Sequence, residues 1–254
     1  MAWVRRIGAA TGWVVAAGVL FGLAGAGVLA DAAAFVGSLF AAGASAGVVL
    51  LVEALSRASI DFEIEPSPPV MPGGRKFLRV HVWNSRLPRP MSLFFDRRPA
   101  LLTRAWVTFL TQTNDPVFEK GRRMRGRWSS TPEPVLPLTV TAPSTGDPRV
   151  VLTWDLTRTT DSVDIPPGSF ELLDVVMRVP HDDSCRGWHN GIIQRPNPPP
   201  EEQFELPKGR YHALIRVQTG GRSFRYVLRI VNDLSIEHFR LEPIEPQPAL
   251  PEDL

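Results

Sequence analysis

The stretch Ile7–Val52, IGAATGWVVAAGVLFGLAGAGVLADAAAFVGSLFAAGASAGVVLLV, is strongly apolar and contains a single ionisable side chain, Asp31. Residues 7–30 and 32–52 form two uncharged runs of 24 and 21 residues. At about 1.5 Å of rise per helical residue, either run can cross a hydrocarbon core of about 30 Å. The sequence predicts a transmembrane helical hairpin over residues 1–56, with helices at about 9–29 and 33–54 and a turn at Asp31.

The residues that flank this stretch predict its orientation. Arg5 and Arg6 precede the first run, and arginines that flank a span favour the cytoplasmic side. With two spans, the N-terminus and the large domain lie on that same side, so the predicted location is a multi-pass membrane protein with a cytoplasmic domain. The alternative is a cleaved signal peptide, because Ala30-Asp31-Ala32 has the small-x-small form of a cleavage site.

Small residues recur at four-residue spacing in both runs: Gly8/Gly12, Gly18/Gly22, Ala26/Ala30 and Gly43/Gly47. Such spacing lets helix backbones approach closely in lipid. It therefore predicts helix packing, within a homo-oligomer or against the spans of a protein partner. The run Gly43–Gly47 also matches the Gly-x-Ser-x-Gly pattern of serine hydrolases. We interpret this match as chance, because the pattern lies in a predicted membrane helix and neither run contains a histidine.

The composition excludes several classes of protein. A single cysteine, Cys185, allows no intramolecular disulfide and excludes a disulfide-stapled scaffold. The net charge of +2 is too small to predict a nucleic-acid-binding protein. The bases are 25 arginines and only three lysines, which we interpret as the codon bias of a GC-rich prokaryote.

After the membrane segment, the apolar period changes from helical to two. Ile60, Phe62 and Ile64 alternate with acidic residues, as in a strand that buries one face. Nine such strands are predicted, at 60–64, 78–82, 105–111, 135–140, 150–156, 172–179, 211–217, 224–231 and 236–241. Gly220-Gly221 lies between two of them and predicts a hairpin turn. Because no crossover helices separate them, the predicted fold is mainly β, an antiparallel sandwich over residues 57–241. Two smaller sandwiches that divide near 143–148 are the alternative.

One local pattern points to a type of sandwich. The run Leu206-Pro-Lys-Gly-Arg-Tyr211-His-Ala213 resembles the tyrosine corner of immunoglobulin-like domains. The resemblance implies that the Tyr211 hydroxyl bonds to the upstream backbone. Ala213 stands where antibody domains carry their second cysteine, so the resemblance concerns architecture and implies no activity. The last residues, 242–254, contain four prolines and four acids and predict a disordered tail.

Five bases lie close together in the segment Lys120–Trp128. They are Lys120, Arg122, Arg123, Arg125 and Arg127. On a domain tethered to a bilayer, such a segment could contact anionic headgroups or another anionic partner. An ordinary solvated loop explains the same residues, and nucleic acid is the least favoured partner because no second basic stripe is present.

The segment 181–189 offers the strongest candidates for metal chemistry. It contains His181, Asp183, Cys185 and His189, which are residue types that zinc prefers. The spacing matches no established zinc motif, so we predict no metal and no cofactor here. An ordinary polar loop explains the same residues, and a metal-dependent enzyme that uses this loop remains the alternative.

These observations predict a membrane-anchored, non-enzymatic β-sandwich that binds a protein partner or the membrane surface. An accessory subunit of a larger membrane complex is a further alternative. Sandwiches commonly bind through loops and edge strands. The loops Arg86–Arg98, Lys120–Trp128 and His181–Gln194 are the places where we expect contacts.

Overall fold

The computed structural model describes residues 29–66, 70, 74–119, 122–132, 135–141, 148–154, 160–194, 204–233 and 235–248. The chain divides into two compact units, Met1–Leu55 and Ser56–Leu254. The second unit shows no further division within the described residues.

The described part of the first unit is one helix, α1, which spans Leu29–Ser56 and so ends at the first residue of the second unit. Within it, Val36–Ser56 is a 21-residue segment long and apolar enough to cross a membrane. The helix is continuous through Asp31, so the predicted turn at this residue is wrong. Its neighbours from Leu29 to Ala34 are leucine and alanine, and one aspartate costs less than about 0.7 kcal/mol of helix propensity relative to alanine. The predicted first helix, at 9–29, lies almost entirely outside the described residues.

The strands of the second unit form where apolar and polar residues alternate. In β1 (Ile60–Ile64) and β2 (Lys76–Asn84), alternate side chains are buried or half-buried against the domain. These two strands begin an antiparallel sheet, sheet 1, with the order β1-β2-β9-β10-β11, and β5 pairs with β9. Its other strands are β5 (Arg127–Trp128), β9 (Phe170–Arg178), β10 (Cys185–Gly187) and β11 (Glu205–Leu206).

A second antiparallel sheet, sheet 2, has the order β14-β13-β12-β3-β4, and β8 pairs with β3. Its strands are β3 (Ala100–Leu110), β4 (Met124–Arg125), β8 (Ser162–Ile165), β12 (Gly209–Thr219), β13 (Arg222–Asn232) and β14 (Arg240–Pro243). A separate antiparallel pair consists of β6 (Val135–Thr141) and β7 (Pro148–Trp154).

Both six-stranded sheets contribute to one hydrophobic core. Leu78 and Val80 from sheet 1 and Val107 and Ile215 from sheet 2 are at most 1% exposed and belong to the same cluster. The burial of such side chains is the main favourable term in folding. A mainly β fold with two antiparallel sheets is therefore confirmed.

The predicted strand at 236–241 is wrong in its first half. Residues Ile236–His238 form a 3₁₀ turn, and β14 begins only at Arg240. The predicted tail begins at Glu242, but Glu242 and Pro243 belong to β14. The Gln247 side chain also bonds both the N–H and the C=O of Val227. Residues 249–254 lie outside the described part.

Two local predictions agree with the structure. The Tyr211 hydroxyl donates a hydrogen bond to the Pro207 carbonyl at 3.1 Å, as the tyrosine-corner resemblance implies. Gly220 and Gly221, with φ of 53° and 73°, form the two-residue turn between β12 and β13. Glycine adopts two successive positive φ angles at little cost, because it has no Cβ.

Candidate binding surface

The basic segment 120–128 does not form one continuous charged surface. Lys120 lies outside the described residues. Arg127 is only 6% exposed, and its Nη1 lies 2.8 Å from Asp174 Oδ2. Arg125 is exposed but pairs with Asp161 at 2.5 Å. Arg122 places its guanidinium 5.7 Å from the centre of the Phe204 ring.

Gly126 explains why Arg125 and Arg127 point to such different surroundings. The strand before it, β4, pairs with β3 in sheet 2, and the strand after it, β5, pairs with β9 in sheet 1. The chain therefore passes from one sheet to the other at this glycine. A Cβ on Gly126 would lie 2.6 Å from Leu173 Cδ1 and 2.8 Å from the Ala105 Cβ, so no larger residue fits.

After this change of sheet, Arg127 joins a buried ionic cluster around Asp174, which is 1% exposed. Besides Arg127, its carboxylate accepts hydrogen bonds from Arg79 Nε at 2.9 Å and from Ser129 Oγ at 2.8 Å. A buried carboxylate needs such partners because the interior solvates charge poorly. Arg127 is thus committed to the domain interior and unavailable to an anionic membrane.

The four metal-candidate residues of segment 181–189 do not share one environment. His181 and Asp183 are exposed, and Asp183 lies 3.4 Å from Arg178 Nη2. Cys185 is fully buried in β10, and burial raises the pKa of its thiol to about 12. His189 Nδ1 accepts a hydrogen bond from the Gly191 N–H at 3.1 Å.

This arrangement does not assemble a metal site. Zinc binds the thiolate form of cysteine, whereas burial keeps this thiol protonated. Across the described ranges, no group of three or more histidine, cysteine, aspartate or glutamate side chains could hold a metal ion. The serine-hydrolase pattern is equally unsupported, because Ser45 lies inside α1 and its hydroxyl donates to the Ala41 carbonyl of the same helix at 2.7 Å.

Two of the three predicted contact loops do meet in space. A cleft of about 410 Å³ is lined by Arg123 and Arg125 from the first loop and by His189, Asn190 and Gly191 from the second. The last two begin a short helix, α2, at Asn190–Gln194. The buried Asn190 Oδ1 makes no hydrogen bond with any described residue. We call this cleft the loop cleft.

Sequence reasoning missed two residues that complete the loop cleft, Asp161 and Phe204. Asp161 precedes β8 and reaches the cleft through its pair with Arg125. Phe204 follows a Pro-rich stretch and packs edge-on against His189, with ring centres 5.5 Å apart. No local pattern marks either residue, because each reaches the cleft through contacts with residues distant in sequence.

The third predicted loop, Arg86–Arg98, has a different character. Residues 88–96 are all exposed and include the short 3₁₀ turn Met91–Leu93. Leu93 and Phe94 are 78% and 76% exposed. The loop is therefore an ordered apolar surface, with arginines on both sides of it.

Comparison of the chain with protein-family models, curated proteins and solved structures found no match.

Proposed function

We propose that this chain is a membrane-anchored, non-enzymatic binding module. In this proposal an immunoglobulin-like sandwich presents the loop cleft to an acidic segment of a protein partner. The observation that carries the proposal is that two loops converge in one cleft on a β domain that directly follows a helix of membrane-spanning length. The Tyr211–Pro207 hydrogen bond supports the immunoglobulin-like assignment.

The chemistry of the loop cleft favours a partner with acidic and polar groups. Its lining combines two arginines and a histidine with one aspartate, which leaves an excess of positive charge. Arginine and aromatic side chains are enriched where proteins bind one another.

The proposed orientation places the β domain in the cytoplasm. Arg57 directly follows α1, and Arg86 and Arg89 lie in the loop that is hydrogen-bonded to the helix end through Arg98. Arginines near the end of a span favour the cytoplasmic side. With two spans, Arg5 and Arg6 support the same orientation.

A photocrosslinking experiment tests the binding proposal. A photoreactive residue replaces Asn190 in the full chain within its native membranes, and the matched control replaces the exposed Lys208. We expect one discrete protein adduct from position 190 and none from position 208. The double charge reversal Arg123→Glu/Arg125→Glu should reduce the adduct at least tenfold. Equal labelling from both positions, or none from either, would show that the loop cleft is not the binding site.

Packing of α1 through its small residues is a second element of the proposal. A Cβ on Gly43 or Gly47 would meet no described atom within 4 Å, so these positions leave room for another helix backbone. Gly43→Ile/Gly47→Ile should weaken self-association, or co-purification with a partner span, in mild detergent. The control Val48→Ile/Val49→Ile adds bulk beside these positions and should leave association unchanged.

A further inference from the structure

We propose that the domain makes a second contact with the bilayer, through an apolar tip that enters the headgroup region beside the end of α1. The apolar tip consists of Met91, Leu93, Phe94, Phe95, Leu101 and Leu102. The inference rests on the proposed membrane anchoring and adds to it a lipid-binding surface.

All six side chains of the apolar tip are exposed. Leu93, Phe94 and Leu102 are the most exposed, at 78%, 76% and 69%. Six large apolar side chains within twelve residues form a patch of the kind that marks an interaction site on a soluble surface. Isolated exposed apolar residues would need no such explanation.

The backbone of the loop that carries these side chains is ordered by hydrogen bonds. In the loop, the Leu93 N–H donates to the Pro90 carbonyl at 3.0 Å, and the N–H groups of Phe94 and Phe95 both donate to Met91 at 3.1 Å. These bonds close a tight turn, so this part of the apolar tip already has a defined shape. Binding therefore does not have to pay the entropic cost of ordering the loop.

Leu101 and Leu102 reach the same surface through a bulge in β3. The pairing of β3 with β8 shifts between Ala100 and Thr103, which inserts one extra residue. Leu102 has a φ of 48° and donates its N–H to Asp164 Oδ1 at 2.7 Å. The left-handed region costs a leucine free energy, and such strain clusters at functional positions.

One hydrogen bond connects this loop to Ser56, the residue at which α1 ends. The Arg98 N–H donates to the Ser56 carbonyl at 2.6 Å, and Ser56 is the last residue of the helix. A chain spans at most about 3.6 Å per residue. Phe94 and Leu102, four residues on either side of Arg98, therefore lie within about 15 Å of it. The apolar tip is therefore within reach of the surface at which α1 would leave a bilayer.

The charges around the apolar tip complement an anionic leaflet. Arg222 Nη1 donates to the Ala58 carbonyl at 3.0 Å, which places the turn between β12 and β13 at this end as well. The bases of this end are Arg57, Arg86, Arg89, Arg97, Arg98 and Arg222, and its acids are Asp61, Asp96 and Asp164. An apolar patch with a basic border is the pattern by which surfaces bind anionic interfaces.

The attachment of the domain to α1 favours lipid, rather than a protein, as the ligand of the apolar tip. Tethering raises the effective concentration of any surface within reach, and the bilayer around α1 is always within reach of the apolar tip. A soluble protein partner would have to compete with that lipid. The loop cleft, which is polar and basic, is the better site for a protein.

The test uses the full chain in nanodiscs of mixed zwitterionic and anionic lipid. A polarity-sensitive fluorophore is attached at Phe94→Cys, with Lys208→Cys as the matched control. Lys208 precedes β12, whose 11 residues span about 34 Å and whose far end contacts Leu101 through Thr219. The native Cys185 is fully buried and should stay unlabelled.

We expect lipids that carry a nitroxide near the headgroup to quench the probe at position 94 at least twofold more than the probe at position 208. A probe at Ser92→Cys should be quenched similarly, and adding Leu93→Asp/Phe94→Asp should abolish its quenching. Far-ultraviolet circular dichroism checks that each variant is folded.

Two outcomes would overturn the inference: equal quenching at positions 94 and 208, or a blue shift at position 94 without lipid quenching, which would indicate contact with protein. Extraction at alkaline pH tests the anchor separately. If the chain leaves the membrane, the proposed function fails. If it stays and position 94 is not quenched, only the present inference fails.

Discussion

At the scale of single residues, Asp174 has the largest expected effect on stability. Its carboxylate bonds Arg79 and Arg127, and the Arg127 side chain is 7% exposed. Removal of one partner from a buried ionic group costs about 3–5 kcal/mol. We therefore expect Asp174→Ala to lower the free energy of unfolding by about that amount, measured by urea denaturation of the full chain in detergent.

The control for this prediction is Asp161→Ala, which removes the partner of the exposed Arg125. The side chains of this pair are 37% and 69% exposed, and exposed pairs contribute less than about 1 kcal/mol. Equal losses in the two variants would contradict the assignment of Asp174 to a buried network.

Cys185 provides a prediction about pH. Burial raises the pKa of its thiol to about 12, whereas an exposed thiol ionises near pH 8.5. The unfolded chain therefore releases a proton that the folded chain retains as the pH rises, and stability should fall between about pH 9 and 12.

Cys185→Ala should show a smaller fall in the free energy of unfolding over this pH range, measured by urea titrations at each pH. At pH 7.5 the native thiol should resist maleimide, and it should react once urea unfolds the domain. Rapid labelling of the folded chain would contradict its burial.

At the scale of elements, the turn between β12 and β13 depends on backbone conformation alone. Gly221 has a φ of 73°, and a Cβ there would meet nothing within 4 Å. Gly221→Val should lower the free energy of unfolding by about 1–2 kcal/mol, because valine resists the left-handed region. Gly221→Asn is the matched control and should lose much less, since asparagine tolerates this conformation. Equal urea midpoints for the two variants would exclude backbone strain as the cause.

At the scale of the whole molecule, the proposed orientation has a direct test. A reporter that is active only outside the cytoplasm, fused after Leu254, should stay inactive, and a reporter that is active in the cytoplasm should work at the same position. The physical reason is the basic residues near the end of α1, which are retained on the cytoplasmic side. Activity of the first reporter would overturn this orientation.

The sequence by itself determined the features that depend on neighbouring residues. An apolar run predicted α1, and alternation predicted eight of the nine proposed strands to within a few residues. Paired glycines marked the turn at 220–221, and a local motif predicted the Tyr211 hydrogen bond. Each of these patterns has a period or spacing of a few residues, which the chain itself displays. The turn at Asp31 failed because a single charge does not end a helix rich in alanine and leucine.

Only the tertiary structure decided which charges are exposed and which loops meet. Arg127 was expected in a surface patch, yet it lies inside because the chain changes sheets at Gly126 and meets Asp174, 47 residues away. The loop cleft depends in the same way on Asp161 and Phe204. The apolar tip acquires its position from the bond between Arg98 and Ser56. Contacts of this kind join residues far apart in sequence, and no local periodicity records them.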